Sequence, residues 1–158
     1  MNIRKSNRRR SSADRRRRQG AAAIETAIVL MIFITLVFGM LDLGLGVLKH
    51  NSLSQAARRA AREAIVHGSM AEPLGVWGPT GYSGTAADTH PLAESVRRSL
   101  AGMDHTEVTV QAAWPEGGND LEQQVTITAS MPYRPIMAFI FGSPEFTLEA
   151  KSTMRIAH

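Results

Sequence analysis

Two carboxylates interrupt the most apolar stretch of this 158-residue chain, Glu25 and, seventeen residues on, Asp42. An acid in a hydrocarbon setting costs a few kcal/mol, so it is usually paired or put to use. Glu25 has a candidate partner within its own stretch. Gly20 stands just before Ala21-Ala22-Ala23-Ile24, and scission after Gly20 would leave the α-ammonium of Ala21 about one helical turn from Glu25. Two copies packed side by side with a small axial offset could then pair the carboxylate of one with the amine of the other. Such a pair neutralises both charges where solvation is poor. Asp42 is expected at the far membrane boundary.

Other chemistry is thin. The five histidines (His50, His67, His90, His105, His158) show no metal-ligand spacing, and Gly81-Tyr82-Ser83-Gly84 lacks the spacing of a nucleophile elbow. There are no cysteines, which excludes disulfides, iron–sulfur clusters and thiolate zinc. No phosphate-binding or dinucleotide fingerprint is present. Neither catalytic residues nor metal ligands nor a cofactor is expected.

The element that must carry Glu25 and Asp42 is a membrane helix. The uncharged run Thr26–Leu41 is 16 residues, slightly short of the roughly 20 that cross a bilayer core. Extended past Asp42 to Leu48 it is long enough. A lone spanning segment can satisfy its backbone only as a helix. Residues 1–18 hold nine basic side chains, among them Arg15, Arg16, Arg17 and Arg18, against the single acid Asp14, a balance of +8. The other 140 residues balance to −4, so the high pI belongs to the tail. Positive charge beside a span stays cytoplasmic, which predicts an N-in, C-out topology. Topology and attraction to anionic lipid account for the arginines, so no nucleic-acid partner is expected. The tail lacks apolar periodicity and is expected to be disordered.

A basic leader, Gly, four residues, Glu and then an apolar helix is the pattern of type IV-class prepilins. The longer string GAAAIETAIVL…FGMLDLG…NSLSQAARRAAREA resembles the TadE family of pilin-like proteins from tight adherence (Flp) pilus systems. The likeness covers about residues 20–64. It implies a basic leader 1–20 removed by a prepilin peptidase, Gly20 as its last residue, Ala21 as the mature N-terminus and Glu25 as the assembly glutamate. It also implies other pilin-like subunits and the pilus assembly machinery as partners. Thr26 stands where relatives carry Phe or Tyr, Met31 where many have Pro, and Leu45 where Arg is frequent. Without that proline a straighter helix is expected. The alternative is an uncleaved single-pass protein whose extracytoplasmic domain binds a ligand or an envelope partner.

Beyond the span 21–48, residues 49–68 continue the helix outside the membrane. Leu53, Ala56, Ala57, Ala60, Ala61, Ala64 and Ile65 recur at three- and four-residue steps, an apolar stripe of small side chains. Nothing breaks the helix from Ala21 to Val66, and Gly68 is a candidate cap. Residues 69–91, rich in Gly, Pro, Ser and Thr, form a loop, in which Trp77 and Tyr82 belong either to a packing surface or to an interface. Residues 92–158 form a small α+β domain. A short helix Leu92–Met103 precedes three alternating runs, around Val108–Trp114, Val125–Met131 and Phe146–Ile156, with a turn at Gly117–Asp120. One-sided alternation predicts a three-stranded antiparallel sheet with one buried face. PYRPIMAFIFGSP, between the last two runs, is expected to be a helical turn or a buried crossover.

Overall fold

The computed structural model describes residues 4–71, 74–138 and 145–157, with side chains from Gln19 onward. It is α+β, in the order α1 (Arg4–Ala64), β1 (Tyr82–Thr85), α2 (Pro91–Arg97), β2 (Thr109–Ala113), β3 (Gln124–Tyr133) and β4 (Phe146–Arg155). Two compact units divide the chain, Met1–Leu41 and Asp42–His158.

In the first unit α1 holds the apolar run. Its stretch from Gln19 to Ala64 is long and apolar enough to cross a membrane. Between Ile24 and Leu48, seventeen large apolar side chains stand 38–73 % exposed. Soluble monomers rarely expose so continuous an apolar surface, and lipid is a solvent that suits it. Two hydroxyls within the run are satisfied locally, Thr26 Oγ1 donating to Ala22 O at 2.8 Å and Thr35 Oγ1 to Met31 O at 2.9 Å. That keeps unpaired donors out of the hydrocarbon. The helix begins at Arg4 and not at Ala21, so the basic segment is helical from Arg4 where disorder was expected. Arginine is a good helix former, and neither glycine nor proline occurs before Gly20 to stop the helix.

The second unit, the head, is a meander in the order β1-β2-β3-β4, every neighbour antiparallel. The sheet has four strands, not three. The additional one, β1, lies in the 69–91 segment and pairs Tyr82↔Ala112 through Thr85↔Thr109. Its sequence, Tyr-Ser-Gly-Thr, has no apolar alternation, because an edge strand can be held by the ladder of its neighbour without burying a face. The other three strands have the expected phase. Val110 and Ala112 in β2, Val125, Ile127, Ala129 and Met131 in β3, and Ala150 in β4 are all at most 5 % exposed.

Against this face lies the small-residue stripe of α1. Leu53, Ala56, Ala57, Ala60 and Ala61 are wholly buried, and Leu92, Val96 and Leu100 close the core from the α2 side. The alanines let the helix backbone approach the sheet closely. α2 is shorter than expected. It ends at Arg97, and tight turns (Ser99 N to Val96 O, Leu100 N to Arg97 O) carry Leu100 into the core.

Helix and sheet are matched in length. Asp42 to Ala64 spans 22 steps of α1, about 33 Å at 1.5 Å per residue. Gln123 to Tyr133 spans ten extended steps, about 34 Å. Each end is tied. Tyr133 Oη donates to Asp42 O at 2.8 Å, and Ala157 N donates to Ile65 O at 3.0 Å beside the Ile156 N to Gln123 O bond. The β3–β4 connection opens with a turn, Ala138 N to Pro135 O, and the rest of the PYRPIMAFIFGSP segment, residues 139–144, lies outside the described residues.

Candidate functional site

Gly20, Ala21 and Glu25 lie in consecutive turns of α1, all of them exposed. A side chain added at Gly20 would meet open space. The rise from Ala21 to Glu25 is about 6 Å, one helical turn. The carboxylate and the peptide bond that scission would open therefore lie within one turn of each other, both reachable from outside the helix. Arg15, Arg16, Arg17 and Arg18 belong to α1, and their side chains lie outside the described residues.

Asp42 occupies a different kind of place. It is 8 % exposed. Its Oδ1 accepts from Ile136 N at 2.8 Å and its Oδ2 from Met137 N at 2.9 Å, while its backbone carbonyl accepts from Tyr133 Oη. One residue thus takes three bonds from a single stretch of the head, the end of β3 and the turn after it. Asp42, Gly46, Lys49 and Leu53 fall at i, i+4, i+7 and i+11, one face of the helix. Gly46 leaves room for the Tyr133 ring, which a Cβ there would meet at 3.8 Å, and Lys49 Nζ lies 5.3 Å from the ring centroid. Burial, reinforced by the negative charge of Asp42, holds the Tyr133 hydroxyl above the usual tyrosine range.

Two polar clusters organise the remainder of the head. Tyr82 stacks on His90 at 4.0 Å and donates to Asp88 Oδ2 at 3.0 Å; Asp88 also receives Thr85 N and Thr85 Oγ1. These bonds hold the Asp88 carboxyl below the usual range, the Thr85 hydroxyl contributing most. Tyr82 is pushed up to about 12, first by burial and then by Asp88. His90 is held below its ordinary value by burial, and its Nδ1 caps α2 by accepting from Leu92 N at 3.3 Å. In the second cluster Asn119 gives Nδ2 to Trp77 O (2.6 Å) and His67 O (3.3 Å) and accepts from Trp114 Nε1 at 2.9 Å. Trp77 stacks on His67 at 4.0 Å. Both Trp77 and Tyr82 therefore serve packing within the head. The sequence marked Asn119 only as a turn residue, because nothing local shows that its amide reaches 42 and 52 residues back.

Among the described residues no group of three or more His, Asp or Glu side chains could hold a metal ion. One open basin, lined by Gln55, Arg58, Arg59, Arg62, Glu63 and Ser99, lies against the outer side of α1. Three arginines face one glutamate there, so it favours anions, but its mouth is wide and water screens it.

The first unit offers an exposed glycine–glutamate segment on an apolar helix, and within the second a buried acid, Asp42, ties the end of β3 and the turn after it to its own stretch of α1. Compared with known proteins, residues 20–62 match the family model described as TadE-like protein. No curated protein and no solved structure matches the chain.

Proposed function

We propose, from the premise that residues 20–62 are TadE-like, that this chain is a Tad pilus-related structural component acting as a minor pilin or pseudopilin. In this reading a prepilin peptidase removes residues 1–20. Ala21 then becomes the mature N-terminus, and the protein stands in the cytoplasmic membrane with its head outside.

The observation that carries the proposal is the spacing of Gly20 and Glu25 on the exposed apolar part of α1. Scission replaces an amide by an α-ammonium one turn above the Glu25 carboxylate. A neighbour shifted along the axis by about that turn, some 6 Å, brings its own ammonium against this Glu25. The pair would be poorly solvated, so its register is strict: a neighbour out of step leaves two bare charges in lipid. Ion pairing thus sets the axial offset, and the bare apolar surface of α1 supplies the lateral adhesion. The +8 segment holds the N-terminus on the cytoplasmic side until it is removed.

Gly20→Ala tests the cleavage assignment, since a Cβ at the scission residue obstructs the peptidase while membrane insertion needs no glycine there. Processed chain should disappear from the membrane fraction, and its continued accumulation would refute the assignment. Glu25→Ala should insert and be processed, yet fail to co-assemble. The second reading is an uncleaved membrane protein whose head binds a ligand or an envelope partner, for which the basin of Arg58, Arg59 and Arg62 is the candidate contact. In that case the chain keeps its arginine-rich segment.

A further inference from the structure

The apolar run of α1 does not stop at Asp42. Leu43, Val47 and Leu48 are 73 %, 59 % and 64 % exposed, and Lys49 is the first basic group after them. On the opposite side of the same turns the helix is covered by the Tyr133 ring and the 135–138 turn. The part of the head that the Asp42 carboxyl holds down therefore lies at the level of a bare apolar helix surface.

That part of the head is itself apolar where it meets solvent. Ile136 is 47 % exposed and Phe146 46 %. Phe146 pairs with Tyr133 across the sheet, their rings 5.1 Å apart at 58°. Ile136 is fixed by its N–H bond to Asp42 Oδ1. Beside them stand two long cationic side chains, Lys49 over the buried Tyr133 ring and Arg134 with its side chain 76 % exposed and paired to Glu145 at 3.1 Å. Aromatic rings with long cationic side chains beside them favour the headgroup level, where the ring sits at the acyl boundary and the charge reaches water. An acid at this depth is expensive unless it is bonded, and Asp42 spends both its oxygens on backbone N–H groups of this very turn.

We infer that this edge of the head, centred on Ile136 and Phe146, is a second membrane contact that rests in the outer lipid boundary. The occupant is a lipid surface, because the patch continues the apolar face of the helix segment that leads into the span. The inference rests on the reading of α1 as a membrane span, and the test separates the two.

The chain has no cysteines, so single-cysteine variants carry one spin label each with no background. Ile136→Cys and Phe146→Cys, both at half-exposed sites, are compared in full-length protein reconstituted in phosphatidylethanolamine–phosphatidylglycerol vesicles. Leu36→Cys reports the span, and Leu121→Cys reports an equally bare apolar site, 53 % exposed, at the other end of the sheet. The readout is the ratio of label collisions with oxygen, which concentrates in lipid, to collisions with a water-soluble nickel chelate. Labels at 136 and 146 should give a ratio several-fold above that at 121 and below that at 36. Labels at 136 and 146 that match 121, with 36 still deep, would overturn the inference and leave the span intact. A water-exposed label at 36 would remove the span and the inference together. Spin–spin broadening at 136 or 146 would assign the patch to a second copy of the chain and also overturn the lipid contact.

Discussion

Replacing Asp42 distinguishes a clamp from a boundary charge, because only the clamp role lowers the stability of the head. In Asp42→Ala the backbone N–H groups of Ile136 and Met137 lose their acceptor. An orphaned buried donor costs about 1–3 kcal/mol, so the pair should cost the head about 2–6 kcal/mol. Asp42→Asn keeps one acceptor oxygen and turns a second donor toward an N–H, and about half that loss is expected. Were Asp42 only a solvated boundary acid, removing it would leave the head unchanged and would make the span more apolar, a gain of at most ~3.5 kcal/mol in membrane residence. Urea unfolding in detergent micelles, followed by the fluorescence of Trp77 and Trp114, reads the head directly. With a slope of about 2 kcal/mol per molar urea, the Ala variant should unfold ~1–3 M earlier. Hydrogen exchange at Ile136 and Met137 should accelerate in parallel. An unchanged midpoint together with unchanged protection of those two amides would refute the clamp.

Further expectations follow from single side chains. Ser95 Oγ is buried without a hydrogen-bond partner, so Ser95→Ala should stabilise the head by about 1 kcal/mol, the orphaned hydroxyl and the better helix propensity of Ala acting together; a lower unfolding midpoint would contradict this. Both tyrosines are held above the ordinary range, Tyr82 at about 12 and Tyr133 by burial beside Asp42. A raised folded value stabilises the fold fully below the unfolded value of about 10 and ceases to do so as pH rises through the folded one. An absorbance titration of native protein should therefore show Tyr82 still protonated near pH 10 and Tyr133 titrating above its ordinary value, and two normal tyrosines there would count against the geometry. His90 shifts the other way. Its folded value lies below 6.5, so its contribution is present above that pH and declines as pH falls toward the folded value. Protonation also removes the Nδ1 acceptor of Leu92 N. The Leu92 amide should thus lose protection on acidification below about 6.5, while amides of β3 keep theirs.

How much of this was legible in the sequence depends on the range over which each feature acts. Gly20 and Glu25 are five residues apart on one helix, and their spacing could be read directly. The partner that gives Glu25 its proposed use lies in another copy of the chain, which no single sequence displays. The alanine stripe and the phases of the Val110, Ile127 and Ala150 strands came from periodicities that burial enforces. β1 escaped because Tyr82–Thr85 is held by hydrogen bonds to Thr109–Ala112, and backbone pairing leaves no side-chain signature. Asp42 was legible as an anomaly in an apolar run but not as a clamp, since its ligands are backbone amides 94 and 95 residues away. The helical course of the basic segment was missed for a related reason. Apolar periodicity was absent there, and intrinsic propensity alone argued for a helix.

The central claim, a helix-anchored pilin-like subunit matured at Gly20, is tested most directly by the intact mass of the protein purified from the membranes of its own cell. The proposal predicts a chain that begins at Ala21, lacking every residue from Met1 to Gly20. A mass that retains Arg15–Arg18 would contradict it and favour the uncleaved membrane protein.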